Sequence, residues 1–231
     1  MTDLPRPRTP DEEIIEAESP VVASLHTDEN RVERIASELR AGFQLLSDLG
    51  PAVVVFGSAR TAPEDPRYAK AREVTRRLGE AGFAVITGGG PGIMEAANRG
   101  AADAGVPSVG LNIELPFEQG MNQWVTLGMD FDYFFTRKLM FVRYASAWVV
   151  FPGGYGTLDE LFELLTLIQT RKTINCPVVM VGGEDWRGLY EWLRDVVLAE
   201  GRIDRADLEL IQMCDDPAEV AEVIGPASRR Y

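Results

Sequence analysis

Residues 149–163 read VVFPGGYGTLDELFE. An apolar run ends in Pro152-Gly153-Gly154, and within about one turn a capped, acidic, amphipathic pattern begins. A buried strand therefore runs through a glycine-rich corner into a helix. A helix start offers unpaired backbone N–H groups and about half a positive charge, and glycines let an anion approach that backbone closely. Gly153, Gly154, Gly156 and Thr157 make a phosphate cradle on this reading, and a tight turn with Thr157 as its cap on the plainer one. Glu160 has two readings as well. It is either the capping-box partner of Thr157 or a carboxylate one turn from a bound phosphate, a placement that is electrostatically unfavourable unless it serves chemistry.

The same strand–corner–helix unit recurs along the chain. PAVVVFGSAR (51–60) is a buried strand with a Gly57-Ser58 exit, followed by a helix over 66–81. FAVITGGG (83–90) runs into glycines and a helix over 91–104, and VPSVGLNI (106–113) is the third strand. After a polar stretch and WVTLGMDFDYFF (124–135), 137–144 reads as helix, SAWVVF (146–151) as strand and 157–170 as helix. CPVVMVG (176–182), a helix over 186–199, LELIQMC (208–214) and a helix over 217–224 close the chain. Continuous Val/Ile strands alternating with helices predict an α/β fold. It is a Rossmann-like three-layer sandwich with a mainly parallel sheet and helices on both faces. Ligands sit at the carboxyl ends of such strands, so the corners at Gly57-Ser58, Gly88–Gly92 and Gly153–Thr157 should meet at one edge.

Residues 1–30 are rich in Pro, Glu, Asp, Thr and Ser without a period, and read as a disordered acidic tail. Residues 31–231 read as a single α/β domain, entered through an amphipathic helix over 31–49. Its apolar positions are Val32, Ile35, Ala36, Leu39, Phe43 and Leu46.

Composition narrows the chemistry. With 23 basic and 36 acidic residues the net charge is -13, which argues against a nucleic-acid partner. The single histidine, His26, lies in the tail, so histidine triads and histidine metal sites are excluded from the fold. Acid–base work falls to carboxylates, Tyr, Lys or Arg. Cys176 and Cys214 form no CxxC pair, so neither a zinc site nor a disulfide framework is implied, and a reducing compartment fits. No metal ligand set and no cofactor is expected. No apolar run approaches the roughly 20 residues that span a membrane, and the acidic, proline-rich N-terminus is unlike a signal peptide. The expected location is the cytoplasm. GGGPGIMEAAN (88–98) fits GxGxxG at Gly88 and Gly90 but has Ile93 in the third place, and no GxxxxGK[ST] loop occurs. In YFFTRKLMF (133–141), Arg137 and Lys138 are adjacent cations at a helix start. That is unfavourable to the dipole and understandable beside an anion.

Taken in order, GGGPGIMEAAN, TRK before an apolar helix and PGGYGTLDE resemble the LOG family of cytokinin riboside 5′-monophosphate phosphoribohydrolases, once labelled lysine decarboxylases. The resemblance runs from about Pro51 to Gly201. Pro152, Gly153, Gly154, Gly156, Thr157 and Glu160 match its PGGxGTxxE motif. It implies hydrolysis of the N-glycosidic bond of a nucleoside 5′-monophosphate, with Arg137 and Glu160 as catalytic residues. It further implies substrate binding through Lys138, Thr166, the glycine corners (Gly89, Gly90, Gly153, Gly154, Gly156, Thr157) and a loop glutamate, Glu118 in LPFEQGMN, with Glu114 as its rival. A homodimer or larger assembly is implied too, and LDELFELLTLIQ (158–169) suits either core or interface. The family often has a His where Phe135 stands, so the preferred base stays open. Three other readings remain: a pyridoxal phosphate decarboxylase on Lys138, a signalling-nucleotide sensor, and a non-catalytic carrier of a nucleotide or of molybdenum cofactor. The pair Arg137 and Glu160 favours the hydrolase over a carrier.

Overall fold

The structure is a computed structural model that describes residues 9–15, 28–114 and 120–230. Pro10–Ile15 (α1), inside the stretch read as a tail, is a short helix, and Asp28–Leu46 (α2) is a long one. The sheet is built from Ala52–Phe56 (β1), Ala84–Thr87 (β2), Ser108–Ile113 (β3), Leu127–Phe131 (β4), Ala147–Val150 (β5), Val178–Met180 (β6) and Ile211–Met213 (β7). Between strands lie Pro66–Glu80 (α3), Ile93–Ala104 (α4), Phe134–Tyr144 (α5), Tyr155–Gln169 (α6) and Gly183–Trp192 (α7), the last continuing as a π-helical turn over Leu193–Leu198. Arg205–Leu208 (α8) precedes β7 and Pro217–Ile224 (α9) follows it.

The strand order is β4-β3-β2-β1-β5-β6-β7, and every pairing is parallel. This is the expected α/β Rossmann-like sheet, with the fully parallel order in place of a mainly parallel one. The chain steps outward from β1 to β4, then returns through α5 to lay β5 on the other side of β1. The order therefore reverses between β1 and β5, and a crevice opens there at their carboxyl ends. The two strands stay bonded past their ends, with Phe151 N donating to Phe56 O at 2.8 Å and Ser58 N to Pro152 O at 3.0 Å.

Burial follows the apolar pattern. β1, β2, β5 and β6 are buried at every residue, whereas edge strand β4 alternates. Val54, Phe56, Ile86, Leu111, Trp148 and Val150 face α5 and α6 through Met140, Phe141, Leu161 and Leu164. Val53, Val55, Val85, Val149 and Val179 face α3, α4 and α9 through Ala71, Val74, Leu78, Ala97 and Val220. Residues one apart on a strand thus feed opposite cores, which makes the three layers.

The starts of the two helices that carry the predicted site residues differ from the sequence reading. α5 begins at Phe134, so Arg137 is its fourth residue and not its first. α6 begins at Tyr155 with Gly154 as N-cap and no side-chain cap, which places Thr157 third and Glu160 sixth. The Thr157–Glu160 capping box is therefore not formed. α2 packs the expected Leu39, Phe43 and Leu46 on the core, but leaves Val32 63% exposed and buries Arg31, Glu38 and Gly42 as well.

Between α3 and α4 the backbones meet at Gly100. A Cβ there would overlap Thr75 Oγ1 and the Arg72 carbonyl and lie 2.9 Å from Arg76 N. Gly100→Ala should therefore destabilise the fold by about 3 kcal/mol, lowering Tm by roughly 6 to 12 °C for a chain of this size. A calorimetric shift under about 2 °C would show that the two helices can move apart freely.

Candidate active site

The β1/β5 crevice is a cleft of about 670 Å³ bounded by Phe56–Arg60, Met94, Phe134, Arg137 and Gly154–Glu160. Its floor is fixed by glycines. Gly92 has φ +69°, and a Cβ on it would overlap the Ser58 carbonyl, so α4 starts tight against the β1 corner, with Ile93 N donating to Ser58 O at 3.1 Å. A Cβ on Gly153 would strike the Thr157 side chain, its Cβ at 2.7 Å, which holds the β5 corner under the first turn of α6. Gly154 and Gly156 have open space where a Cβ would stand. The amides of Tyr155 and Gly156, first in α6, have no carbonyl within the helix to bond. Tyr155, Gly156 and Thr157 all line the cleft.

Two buried ions share this cleft. Arg137 is 8% exposed and Glu160 4% exposed. Among the described residues, neither Arg137 Nε nor Glu160 Oε2 has a hydrogen-bond partner. The guanidinium lies 5.2 Å from the Phe141 ring and 6.0 Å from that of Phe134. Its back is set by Gly88, where a Cβ would come within 2.6 Å of Arg137 Nη2. Burial lowers the Arg137 pKa to about 10 against the pull of Glu160. Burial likewise raises Glu160 from 4.5 to about 7, although Lys138 and Arg137 oppose it. A carboxyl at about 7 is poised to move a proton at neutral pH.

The other expected residues are placed differently. Lys138 is not among the cleft residues: its Nζ sits 3.0 Å from Asp159 Oδ2 and 2.9 Å from Glu163 Oε2. Burial pulls its pKa down, but Glu163 and Asp159 prevail and hold it above its ordinary value. An ammonium so held does not fit a pyridoxal phosphate Schiff base, which needs a neutral amine. Thr166 lines an adjoining groove along α6 with Lys138, Tyr155 and Asp159, and its hydroxyl donates to Phe162 O at 2.7 Å. Gly89 and Gly90 give their carbonyls to Asn122, whose Nδ2 lies 3.0 Å from each, so they anchor the following loop and do not line the cleft. Glu118 lies outside the described residues. Glu114 is bonded through its amide to Phe131 O at 2.9 Å and is not among the cleft residues.

The sequence reading overlooked Arg60, Met94, Phe134 and the role of Gly88. Phe134 stands three residues before Arg137, on the same helical face, and Met94 in the first turn after the glycines, so spacing carried both signals.

An α/β protein with a phosphate-sized helix start and a buried Arg/Glu pair at its switch point is defined by these features. Residues 94–224 match the family model described as "Possible lysine decarboxylase", and the chain belongs to that family, the LOG family of the motifs above. The chain is 30% identical over 186 residues to the pyrimidine/purine nucleotide 5′-monophosphate nucleosidase of Escherichia coli K12, matching 74% of this chain and 39% of that one. It thus spans well under half of that relative. It is 27% identical over 175 residues to a probable cytokinin riboside 5′-monophosphate phosphoribohydrolase of Oryza sativa subsp. japonica, covering 73% and 74% of the two chains. Among solved structures, the fold is shared with the molybdenum cofactor binding protein of Rippkaea orientalis (TM-score 0.56, 18% identity, 77% of this chain and 96% of that one). The molybdenum cofactor carrier protein of Chlamydomonas reinhardtii shares it too (TM-score 0.54, 20% identity, 75% and 96%).

The raised Glu160 pKa has a stability consequence. Between pH 4.5 and about 7 the folded chain binds more protons at this residue than the unfolded chain. Stability from the neutral acid is complete below 4.5 and is lost as pH rises through 7. Glu160→Gln removes the dependence. The Tm of the variant relative to the native chain should rise from pH 5 to pH 8, by the equivalent of at most about 3 kcal/mol. A difference that stays constant over this range would place the folded pKa near its ordinary value.

Proposed function

We propose that the chain is a nucleoside 5′-monophosphate phosphoribohydrolase that cleaves the N-glycosidic bond of adenine-type nucleotides, N6-modified ones included, to free base and ribose 5-phosphate. The observation that carries this reading is the pair of buried ionic groups, Arg137 and Glu160, whose Nε and Oε2 have no hydrogen-bond partner among the described residues, beside the first turn of α6, which has no side-chain cap. The names of the Escherichia coli and rice relatives support it.

The phosphate takes the amides of Tyr155 and Gly156 and the Thr157 hydroxyl, at the positive end of α6. The ribose then lies over Glu160. Cleavage builds positive charge on the sugar as the C1′–N bond lengthens. Ionised Glu160 stabilises that charge and accepts a proton from the attacking water as the new C1′–O bond forms. The bonding electrons leave with the base, which takes up a proton, and Arg137 faces the negative charge developing there. A carrier has no evident use for a carboxyl tuned to about 7, which favours the hydrolase over the carrier reading.

Purified protein incubated separately with AMP, isopentenyl-AMP, GMP and CMP should release free base and ribose 5-phosphate from at least one of them. Adenosine should not react, because the phosphate supplies the positioning energy. Glu160→Gln should lose at least a hundredfold in rate. Tight binding without turnover of any nucleotide would move the assignment to a carrier. Because the base form of Glu160 is required, kcat/KM should rise with pH through about 7. A fall through the same range would make Glu160 the acid.

Phe134, Phe135, Leu139 and Tyr155 leave an apolar surface of 43–92% exposed side chains around the mouth. They support assembly into a homodimer or larger. Light scattering at micromolar concentration should give at least twice the chain mass, and a monomer would count against it.

A further inference from the structure

Helix α5 delivers Arg137 yet lacks local means to hold its own start. Its N-cap, Tyr133, makes no side-chain cap, and there is no acidic residue in its first turn. The missing acceptors come from far away in sequence. Glu38 of α2, 9% exposed, accepts from the Asp132 amide at 2.6 Å and from the Thr136 hydroxyl. Asp11 of α1 accepts from the Phe134 amide at 3.2 Å. Below this point α2 and α5 run side by side in step. Glu38 meets Thr136, a Cβ on Gly42 would lie 2.9 Å from Met140 Sδ, and the Phe43 carbonyl accepts from Tyr144 Oη at 3.2 Å. Arg143 also lies 4.9 Å from the Phe43 ring. A carboxylate inside this packing is unfavourable by desolvation, and the pKa of Glu38 is raised for that reason, its hydrogen bonds notwithstanding. An apolar residue at position 38 would pack a helix pair without this penalty. What the carboxylate adds is a fixed axial position for the first turn of α5, one turn ahead of Arg137.

We propose that Glu38 is a positioning residue for the active site: by capping α5 from α2 it sets where the Arg137 guanidinium stands in the cleft. The consequence for rate rests on the nucleosidase reading, whereas the consequence for α5 does not. Residues 28–46 are then a working part of the site, although they lie outside the family-matched segment at 94–224.

The test uses the full chain in four forms: native, Glu38→Leu, Glu38→Gln and Leu46→Ala. Leu46 is a fully buried residue of α2 away from the cap, and serves as a control for loss of stability alone. Each is assayed on the nucleotide that the native protein hydrolyses fastest, well below its own Tm, with rates normalised to folded protein. Glu38→Leu should lose at least tenfold in kcat with KM within threefold, because Arg137 acts on the transition state. Glu38→Gln keeps one acceptor oxygen and should recover part of that loss. Leu46→Ala should stay within twofold of native kcat at a comparable loss of Tm. In parallel, amide hydrogen exchange over residues 134–138 should quicken at least tenfold in Glu38→Leu and remain native in α6. Native kcat in Glu38→Leu, or a loss matched by Leu46→Ala, overturns the proposal. Should the native protein turn over no nucleotide, the nucleosidase reading fails by itself, and unchanged exchange over 134–138 would overturn the capping role independently.

Discussion

Two ionisable groups of opposite sign, buried in one cleft with Arg137 Nε and Glu160 Oε2 unpartnered among the described residues, are the constraint around which this structure is arranged. Arg137 and Glu160 stand on different helices, face one cleft and perturb each other's pKa. Burying such a pair is unfavourable unless something else completes it. The fold accepts the penalty at the edge where backbone amides converge, which is where an anionic ligand is most strongly held. Stability is reduced where function needs reactivity.

Holding that pair requires rigid helices on the same face of the sheet. α6 is fixed by the β5 corner, where Gly153 lies under Thr157, and by Leu161 and Leu164 in the core. α5 is fixed by Met140 and Phe141 in the core and by Glu38 and Asp11 at its start. Lys138 ties the two helices together through Asp159 and Glu163. The lysine that follows the arginine thus tethers the two helices, its ammonium lying against two carboxylates of α6.

The parts of this account that depend on local pattern were legible in the sequence. Continuous Val/Ile runs separated by glycine corners specify a parallel sheet, and the corners at Gly57, Gly88–Gly92 and Gly153 do converge on one edge. Arg137 and Glu160 are named through the family motifs that contain them, and the structure brings both to one cleft. What was not legible depends on contacts distant in sequence. The apolar spacing of 31–49 points to Leu39, Phe43 and Leu46, which do pack on the core, but also to Val32, which is exposed, and it gives no sign of the buried Glu38 and Gly42, whose partners Thr136 and Met140 lie on α5. Gly89 and Gly90 look like phosphate glycines until Asn122 is seen to bond their carbonyls. α6 starts two residues earlier than its apolar pattern suggests because Gly154 is its N-cap without a side-chain bond, which removes the capping alternative for Thr157.

A crystal structure with ribose 5-phosphate bound tests the central claim most directly. The account requires the phosphate on the amides of Tyr155 and Gly156 and the Thr157 hydroxyl, with C1′ beside Glu160 and the space over Arg137 left for the base. Phosphate bound elsewhere, or a sugar turned so that C1′ points away from Glu160, would contradict it.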